Sequence, residues 1–316
     1  MSPGERAAAD PAALRQATQH LRAPGALSVR GREVGVSTHE FGPDRRRGEV
    51  TAQTVMYGAS LAKQVVGLLL AQQVERGLID PDEPIGEHLD DLPGWAGPVR
   101  VRHLIHHTSG LTDPPDRTST STNSDVVAML RLEDARSEPG SRFEYANVGY
   151  ILLAQLLERS TGRQLAAVAH DELLAPLGMS SSTLGAGSVP TPPGRTAPPA
   201  TVGDGGLWST AEDLQRWNDA MDGRSLGDAV HERAEAPGSL DDGSPLEYAW
   251  GVRVFVHRGR RAVSHGGAWP TWTAKTLRLP DDGVSVALLS GQVDPVVMTE
   301  AALAVADWGR TVGGPR

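Results

Sequence analysis

Strand-like segments lie at the two ends of this chain, and helix-like segments fill its middle. Short alternating runs bounded by turn residues occur before residue 60 and return after residue 247, as is typical of strands. Between them, apolar residues recur at the spacing of helices. We therefore predict an α/β (α+β) fold, in which one antiparallel sheet is built from N- and C-terminal strands, flanked by helices and interrupted by an inserted, mainly helical lobe.

The predicted elements divide the chain into two parts. A discontinuous sheet domain would comprise residues 1–79 and 206–316, and a mainly helical lobe residues 80–205, with the active site in the cleft between them. The predicted strands are 26–30 and 33–41, joined by a turn at Gly31-Arg32, and 50–57, 248–257, 261–265, 271–279 and 284–290. The predicted helices are 11–21, 60–78, 101–107, 125–132, 147–159, 165–174, one from a capping box at 209–212 to residue 221, and 295–308.

Composition excludes several functional classes. The formal net charge of −9 leaves no basic face, so we expect no nucleic-acid partner. The absence of cysteine excludes disulfides and a thiol nucleophile. The N-terminus has no apolar signal-peptide core, and the most apolar run, 65–71, is far shorter than the ~20 residues that span a bilayer. We therefore expect a cytoplasmic protein without a membrane partner, of undetermined oligomeric state.

The predicted helix at 60–78 begins with Ser60 three residues before Lys63, one of only two lysines among 30 basic residues. Residues three apart on a helix share a face. A serine hydroxyl is a poor nucleophile until a base takes its proton, and an amine can be that base where burial favours its neutral form, whereas arginine cannot. We predict that Ser60 is a nucleophile and Lys63 its base. The alternative is a helix-capping serine beside a surface lysine.

Two further elements carry suitable chemistry. Tyr145 and Asn147 precede a predicted helix, where a phenol can exchange protons with reacting groups and an amide can bond the lysine or a substrate. His265-Gly266-Gly267 ends a predicted strand, and its glycines would admit a substrate to the backbone. The amide of Ala268 would then donate to an oxyanion, together with N–H groups at the start of the predicted helix at 60–78. The alternatives are a helix cap beside a core tyrosine, and a tight turn.

In this order, the Ser-x-x-Lys, Tyr-x-Asn and His-Gly-Gly elements resemble the serine β-lactamase and penicillin-binding-protein superfamily. Within it, the chain is similar to the branch of class C β-lactamases, D-aminopeptidases, D-Ala-D-Ala carboxypeptidases and family VIII carboxylesterases. The similarity covers roughly residues 26–292. It includes the segments VRHLIHHTSGL (101–111), EPGSRFEYANVGYILLAQLLE (138–158), LLAPLGM (173–179) and GDGGLWSTAEDLQRW (203–217).

The resemblance implies a serine hydrolase that forms an acyl-enzyme at Ser60 and acts on a small ester or amide. Lys63 matches the base or proton shuttle, Tyr145 the base or leaving-group acid, and Asn147 their polar companion. The Ser60 and Ala268 amides match the oxyanion hole. We expect no cofactor and no metal. An acyltransferase that uses the same acyl-enzyme is the alternative function, and a β-lactam-binding or sensor protein without turnover is a third.

One departure from the pattern concerns the substrate. His265 stands where many relatives carry a lysine, which weakens the positive charge that would hold a substrate carboxylate. Neutral esters or amides therefore fit this site better. We expect His265 and the adjoining Gly266 and Gly267 to contact the substrate.

Three histidines, His103, His106 and His107, have helical spacing that could suit a metal. No acidic residue lies near them in sequence, and the resemblance makes this segment a structural helix end. Ser109 could be taken for a nucleophile beside His106, but Thr108-Ser109-Gly110 is typical of a helix stop. We therefore interpret the segment as structural.

Two tryptophans and the second lysine complete the sequence predictions. Trp208 follows Gly205-Gly206, and Trp269 follows the His-Gly-Gly element through Ala268. We predict that both are substrate-binding residues lining an acyl pocket, with a place in the core as the alternative. Lys275 lies in the middle of a predicted strand and is expected to be exposed.

Overall fold

The computed structural model describes residues 11–31, 35–42, 50–90, 92–132 and 135–311. Its strands are β1 (Gly25–Gly31), β2 (Gly35–Phe41), β3 (Met56–Ala59), β4 (Thr183–Leu184), β5 (Leu207–Ser209), β6 (Arg253–His257), β7 (Arg260–Trp269), β8 (Trp272–Leu279) and β9 (Val284–Ser290). Its α-helices are α1 (Pro11–Thr18), α2 (Ala62–Glu75), α3 (Val101–Ile105), α4 (Asn123–Leu130), α5 (Asn147–Thr161), α6 (Leu165–Ala169), α7 (Ala211–Asp222), α8 (Asp228–Ala234) and α9 (Pro295–Thr311).

Six strands form the main sheet in the order β2-β1-β9-β8-β7-β6, and every neighbouring pair is antiparallel. The sheet thus combines strands from both ends of the chain, which confirms the predicted fold class. One core lies between the sheet and helices α1 and α9, and a larger core lies around α2 and α5. The proposed division of the chain near residues 80 and 205 stays a prediction.

Helix α2 is buried along most of its length and fixes the start of the candidate site. Backbone contacts hold it in place: a Cβ at Gly67 would lie 2.0 Å from the Trp250 carbonyl oxygen, and one at Gly251 would lie 2.1 Å from the Lys63 carbonyl oxygen. Glycine alone permits such approaches. After α2, Gly77 has φ +70°, and Leu78 donates to the Gln73 carbonyl, as in a Schellman motif.

Three strand predictions differ from the structure, because pairing shortens, extends or redirects the strands. The strand expected at 248–257 is β6, which begins only at Arg253, where pairing with β7 begins. The strand expected at 50–57 is the shorter β3, which pairs with β5 in a separate three-stranded sheet. The strand expected to end at His265 continues to Trp269, so Gly266 and Gly267 pair with β8 instead of forming a turn. Arg32 and Glu33, in the predicted turn and second strand, lie outside the described residues.

Several helices also differ from the predictions. Helix α2 begins at Ala62 and not at Ser60, and α4 lies two residues earlier than the predicted 125–132. Helix α7 is capped by Thr210, whose hydroxyl accepts from the Asp213 backbone N–H, so the predicted capping box starts one residue too early. Helix α8 was not predicted, and Gly227, with φ +95°, precedes it. Among the described residues, no helix combines the length and apolarity needed to cross a membrane.

Candidate active site

Ser60 lies between β3 and α2, at the point where the chain changes direction. The preceding Ala59 has φ +48°, in the left-handed region that non-glycine residues rarely adopt. Helix α2 takes Leu61 as its N-cap, without a side-chain hydrogen bond, so the alternative of a capping Ser60 is wrong. Among the described residues, the one hydrogen-bond partner of the Ser60 hydroxyl is the Lys63 amine.

Lys63 is fully buried beside Ser60, and three oxygen atoms surround its amine. Nζ lies 3.2 Å from Ser60 Oγ, 2.8 Å from Asn147 Oδ1 and 2.7 Å from the Asp204 carbonyl oxygen. The Asn147 and Asp204 oxygens can only accept hydrogen bonds, so they take two N–H groups, whereas a hydroxyl can accept from an ammonium or donate to a neutral amine. A proton can therefore pass from Ser60 to Lys63 without rearrangement of these contacts.

Asp113 fixes the orientation of the Asn147 side chain. Asn147 Nδ2 donates to Asp113 Oδ2 at 2.8 Å, and the Val148 backbone N–H donates to Asp113 Oδ1 at 2.8 Å. Because a carboxylate only accepts, it holds the amide nitrogen and leaves Asn147 Oδ1 to face Lys63. The second bond satisfies a free N–H at the start of α5. One carboxylate thus supports both the helix end and the site.

Arg117 joins this carboxylate to the loop behind Lys63. Its Nη2 donates to Asp204 Oδ2 at 2.5 Å and to Thr201 Oγ1 at 2.7 Å, and its Nη1 lies 3.8 Å from Asp113 Oδ2. Asp204 in turn presents its carbonyl to Lys63. Sequence analysis missed Asp113, Arg117 and Asp204. The available signal was charged residues among prolines and glycines, at 113–117 and 203–206.

Tyr145 lines the cleft and is 43% exposed. Lys63 Nζ lies 5.0 Å from the centroid of its ring, within the range of a cation–π contact. The buried His107 ring packs against Tyr145 with centroids 4.2 Å apart, and its Nδ1 accepts from the Ala146 backbone N–H. Burial, aided by the Lys63 charge, lowers the pKa of His107 well below its usual value. A neutral ring therefore supports the phenol.

The edge of β7 forms another wall of the site. Strand β6 pairs with β7 only as far as Ser264, and beyond this point the edge has no strand partner among the described residues. A Cβ at Gly267 would lie 2.0 Å from the Gly58 carbonyl oxygen, so glycine is needed where β7 meets the segment before the nucleophile. Ser60 and Ala268, the predicted oxyanion-hole residues, line the same cleft.

His265 is buried in this wall, and both of its ring nitrogens have partners. Nδ1 donates to the Gly266 carbonyl oxygen at 2.7 Å, and Nε2 accepts from the Tyr248 hydroxyl at 3.0 Å. Burial, together with the Lys63 charge, lowers the pKa of His265 to about 3. The ring is therefore neutral at neutral pH and supplies no positive charge to a substrate.

The cleft has a volume of about 820 Å³. Ser60, Tyr145, Asn147 and residues 264–268 line it, so the structure brings the three predicted motifs together. Lys275 also lines it and is only partly exposed, so the expectation of an exposed lysine was wrong. Other lining residues that sequence analysis did not assign to a site are Phe143, Tyr248, Arg253, Phe255, Thr299 and Leu303.

The two tryptophans lie elsewhere. Trp208 is buried, with its ring centroid 5.3 Å from that of Tyr57 and 5.5 Å from that of Trp272. Trp269 donates from Nε1 to the Ala197 carbonyl oxygen at 2.8 Å. Neither lines the cleft. The packing favours the core interpretation for Trp208, and the hydrogen bond of Trp269 holds the 196–197 segment against the end of β7.

The three histidines of the 101–111 segment have separate partners. His103 Nε2 lies 3.3 Å from Asp241 Oδ1, His106 Nδ1 donates to the Tyr248 carbonyl oxygen at 3.0 Å, and His107 packs on the cleft tyrosine. Among the described residues, no group of acidic, histidine or cysteine side chains could hold a metal. The Ser109 hydroxyl is buried and accepts from the Leu111 backbone N–H.

Known proteins resemble this chain in sequence and in fold. It is 26% identical over 296 residues to penicillin-binding protein 4* of Bacillus subtilis (strain 168), covering 79% of this chain and 63% of that protein. It is 27% identical over 300 residues to a D-aminopeptidase of Brucella anthropi, covering 86% and 57%. The chain therefore spans about three-fifths of the length of these curated relatives.

Solved structures share the fold at lower identity. A penicillin-binding protein from Bacillus halodurans superposes with a TM-score of 0.78 at 22% identity, covering 92% of this chain and 98% of that one. A D-amino acid amidase from Ochrobactrum anthropi SV3 superposes with a TM-score of 0.77 at 22% identity, covering 93% and 96%. At this identity the likeness establishes the fold alone.

The family follows from a match over nearly the whole chain. The beta-lactamase family model matches residues 12–308, a span that contains Ser60, Lys63, Tyr145 and the β7 edge. The chain therefore belongs to the beta-lactamase family.

Proposed function

We propose that the protein hydrolyses small amides or esters through an acyl-enzyme at Ser60. The observation that carries the proposal is the contact between a fully buried Lys63 amine and the Ser60 hydroxyl at 3.2 Å. Two of the three hydrogen-bonding directions of this amine are occupied by oxygens that only accept. The third faces the hydroxyl that must lose a proton.

The acylation step uses these groups as follows. Ser60 Oγ attacks the substrate carbonyl carbon while its proton passes to the Lys63 amine. The Ser60 and Ala268 amides stabilise the negative charge that develops on the carbonyl oxygen. As the bond to the leaving group breaks, the proton reaches the leaving group from Lys63, directly or through the Tyr145 hydroxyl. Water then attacks the ester at Ser60, gives up a proton by the reverse route, and releases the acid and the free serine.

The relatives favour amides among the substrates, and the chemistry at His265 favours uncharged ones. The curated relatives include D-aminopeptidases, and the structural neighbours include a D-amino acid amidase. In this chain His265 is neutral and bonded through both ring nitrogens, so the position leaves a substrate without a fixed positive partner there. We therefore expect turnover of neutral esters and amides.

Covalent labelling tests the proposal directly. The protein is incubated with a fluorophosphonate and, separately, assayed with p-nitrophenyl butyrate and D-alanine p-nitroanilide. We expect one adduct, which peptide mass spectrometry maps to Ser60, and turnover that Ser60→Ala abolishes. Ser109→Ala is the matched control, because this buried serine lies next to the histidine segment but faces its own backbone. An adduct on another residue, or turnover that survives Ser60→Ala, would refute the proposal.

A further inference from the structure

Lys275 reaches the cleft from the strand next to the one that forms its wall. It is on β8 and pairs with Gly266 of β7, so the two residues share a face of the sheet. Gly266 has no side chain to occupy that face. A Cβ there would lie 3.7 Å from Lys275 Cδ and 3.9 Å from Nζ, which shows that the lysine side chain extends across the glycine toward the strand edge.

This amine lines the same cleft as Ser60, but from the other face of the sheet. Side chains alternate along a strand, and Lys275 lies on the face of Leu277, which packs toward α9, whereas Thr276, the partner of His265, bonds Gln64 of α2. Gly266 and Ala268 are two residues apart on β7, which corresponds to ~6.6 Å along a strand. The edge between them has no strand partner among the described residues, and both residues line the same cleft as Ser60. A substrate held at the oxyanion hole would therefore reach Lys275 by extending around this free edge of β7.

The charge of Lys275 is not neutralised within the described part of the chain. Arg253 of β6 also lines the cleft, but it pairs with Glu247 at 2.9 Å. No carboxylate among the described residues forms an ion pair with Lys275, whereas most exposed arginines of this sheet have one. Burial, together with the nearby Arg253 charge, lowers the pKa of Lys275 to about 8. The amine remains mainly protonated at neutral pH, in surroundings that lack a counter-charge.

We propose that Lys275 binds an anionic group, a carboxylate, on the substrate of the Ser60 site, and so replaces from β8 the positive charge that is missing at His265. The inference rests on the proposed function and narrows its substrate class to esters and amides that carry a carboxylate. It revises the expectation, drawn from His265 alone, that neutral substrates fit best.

Matched ester pairs test this assignment. One pair places the charge on the acyl chain: p-nitrophenyl hydrogen pimelate against p-nitrophenyl methyl pimelate. The other places it on the leaving group: m-acetoxybenzoic acid against its methyl ester. The quantity measured is the ratio of kcat/KM for the acid to that for the methyl ester. We expect Lys275→Met to lower this ratio about 10-fold in at least one pair, the size of one charge-assisted hydrogen bond, and Lys275→Arg to retain most of it.

A control variant distinguishes the effect of losing a positive charge in the cleft from the effect of losing one anywhere on the protein. Arg76 follows α2 and lies about 24 Å from Ser60 by helical rise, so Arg76→Met removes the same charge without altering the ratio. If the ratio is the same in the wild type and Lys275→Met for both pairs while esters are still turned over, this inference alone is overturned. If no ester is turned over and Ser60 is not labelled, the proposed function fails and the inference with it.

Discussion

At the scale of single residues, the orientation of the Lys63 amine is fixed by neighbouring groups that can each only accept or only donate a hydrogen bond. Asp113 accepts from the Asn147 amide nitrogen, so the amide oxygen must face the amine. Arg117 binds the Asp204 carboxylate, and the Asp204 carbonyl faces the amine from the other side. Asn147 and Asp204 therefore leave one hydrogen-bonding direction of the Lys63 amine, and that direction faces Ser60.

Asp113→Asn tests this positioning. The new amide can still accept from the Val148 N–H, but its nitrogen then faces the Asn147 nitrogen and favours a flipped Asn147 that donates toward Lys63. We expect kcat/KM on p-nitrophenyl butyrate to fall about 10-fold or more with little change in Tm, and its pH profile to shift, since the amine has lost an acceptor.

Asp125→Asn is the control for loss of one carboxylate charge. Asp125 accepts from the Thr122 backbone at the start of α4, away from the cleft-lining residues, so this variant should keep the wild-type rate and profile. A wild-type rate and pH profile in Asp113→Asn would show that the carboxylate only caps α5.

At the scale of elements, local sequence patterns predicted the type and bounds of single helices and strands. Pairing between strands decided where they continue and which neighbours they have. Residues 284–290 carry the strand pattern without interruption, and β9 has the predicted bounds. The glycines 266 and 267 resemble a turn in sequence, yet they continue β7 because β8 pairs with both of them and Gly58 approaches Gly267. Two consecutive glycines are compatible with a turn or with a continued strand, and the neighbouring strand decides between them.

The same distinction explains which parts of the site were predicted. Helical spacing predicts the Ser60–Lys63 contact, and the structure has it, although Ser60 lies just before α2 and a turn bond from the Lys63 N–H to the Ser60 carbonyl keeps the two residues together. The direction of Lys275 depends on its register opposite Gly266, and the role of Asp113 depends on a side chain 34 residues away. Neither register nor long-range contact is encoded in a local pattern, so sequence analysis assigned neither residue to the site.

At the scale of the whole molecule, buried neutral histidines couple the fold to pH. Burial lowers the pKa of His106 to about 4, where its Nδ1 donates to the Tyr248 carbonyl. The unfolded chain binds this proton near pH 6.5, and the folded protein only near pH 4. The unfolded state thus gains protons first, and the stability provided by neutral His106 is present above pH 6.5 and lost as the pH falls toward 4.

The free energy of unfolding should therefore decrease as the pH falls below 6.5. Between pH 7 and pH 5, His106 accounts for a loss of about 2 kcal/mol, so His106→Gln should reduce the pH-dependent loss by about that amount relative to the wild type. Urea unfolding at both pH values measures it, with His20→Gln, at an exposed position, as the control. Equal losses in the wild type and His106→Gln would contradict a neutral buried His106.

The most direct test of the account is the rate at which a p-nitrophenyl ester acylates Ser60 in Lys63→Arg, compared with Lys63→Ala and the wild type. Arginine keeps the positive charge but cannot accept a proton. If Lys63 is the base, both variants should acylate about 1,000-fold more slowly than the wild type, within the range for loss of a general base. An arginine variant that stays within about 10-fold of the wild type, while the alanine variant is inactive, would show that the charge of Lys63 is what the site requires and not its lone pair.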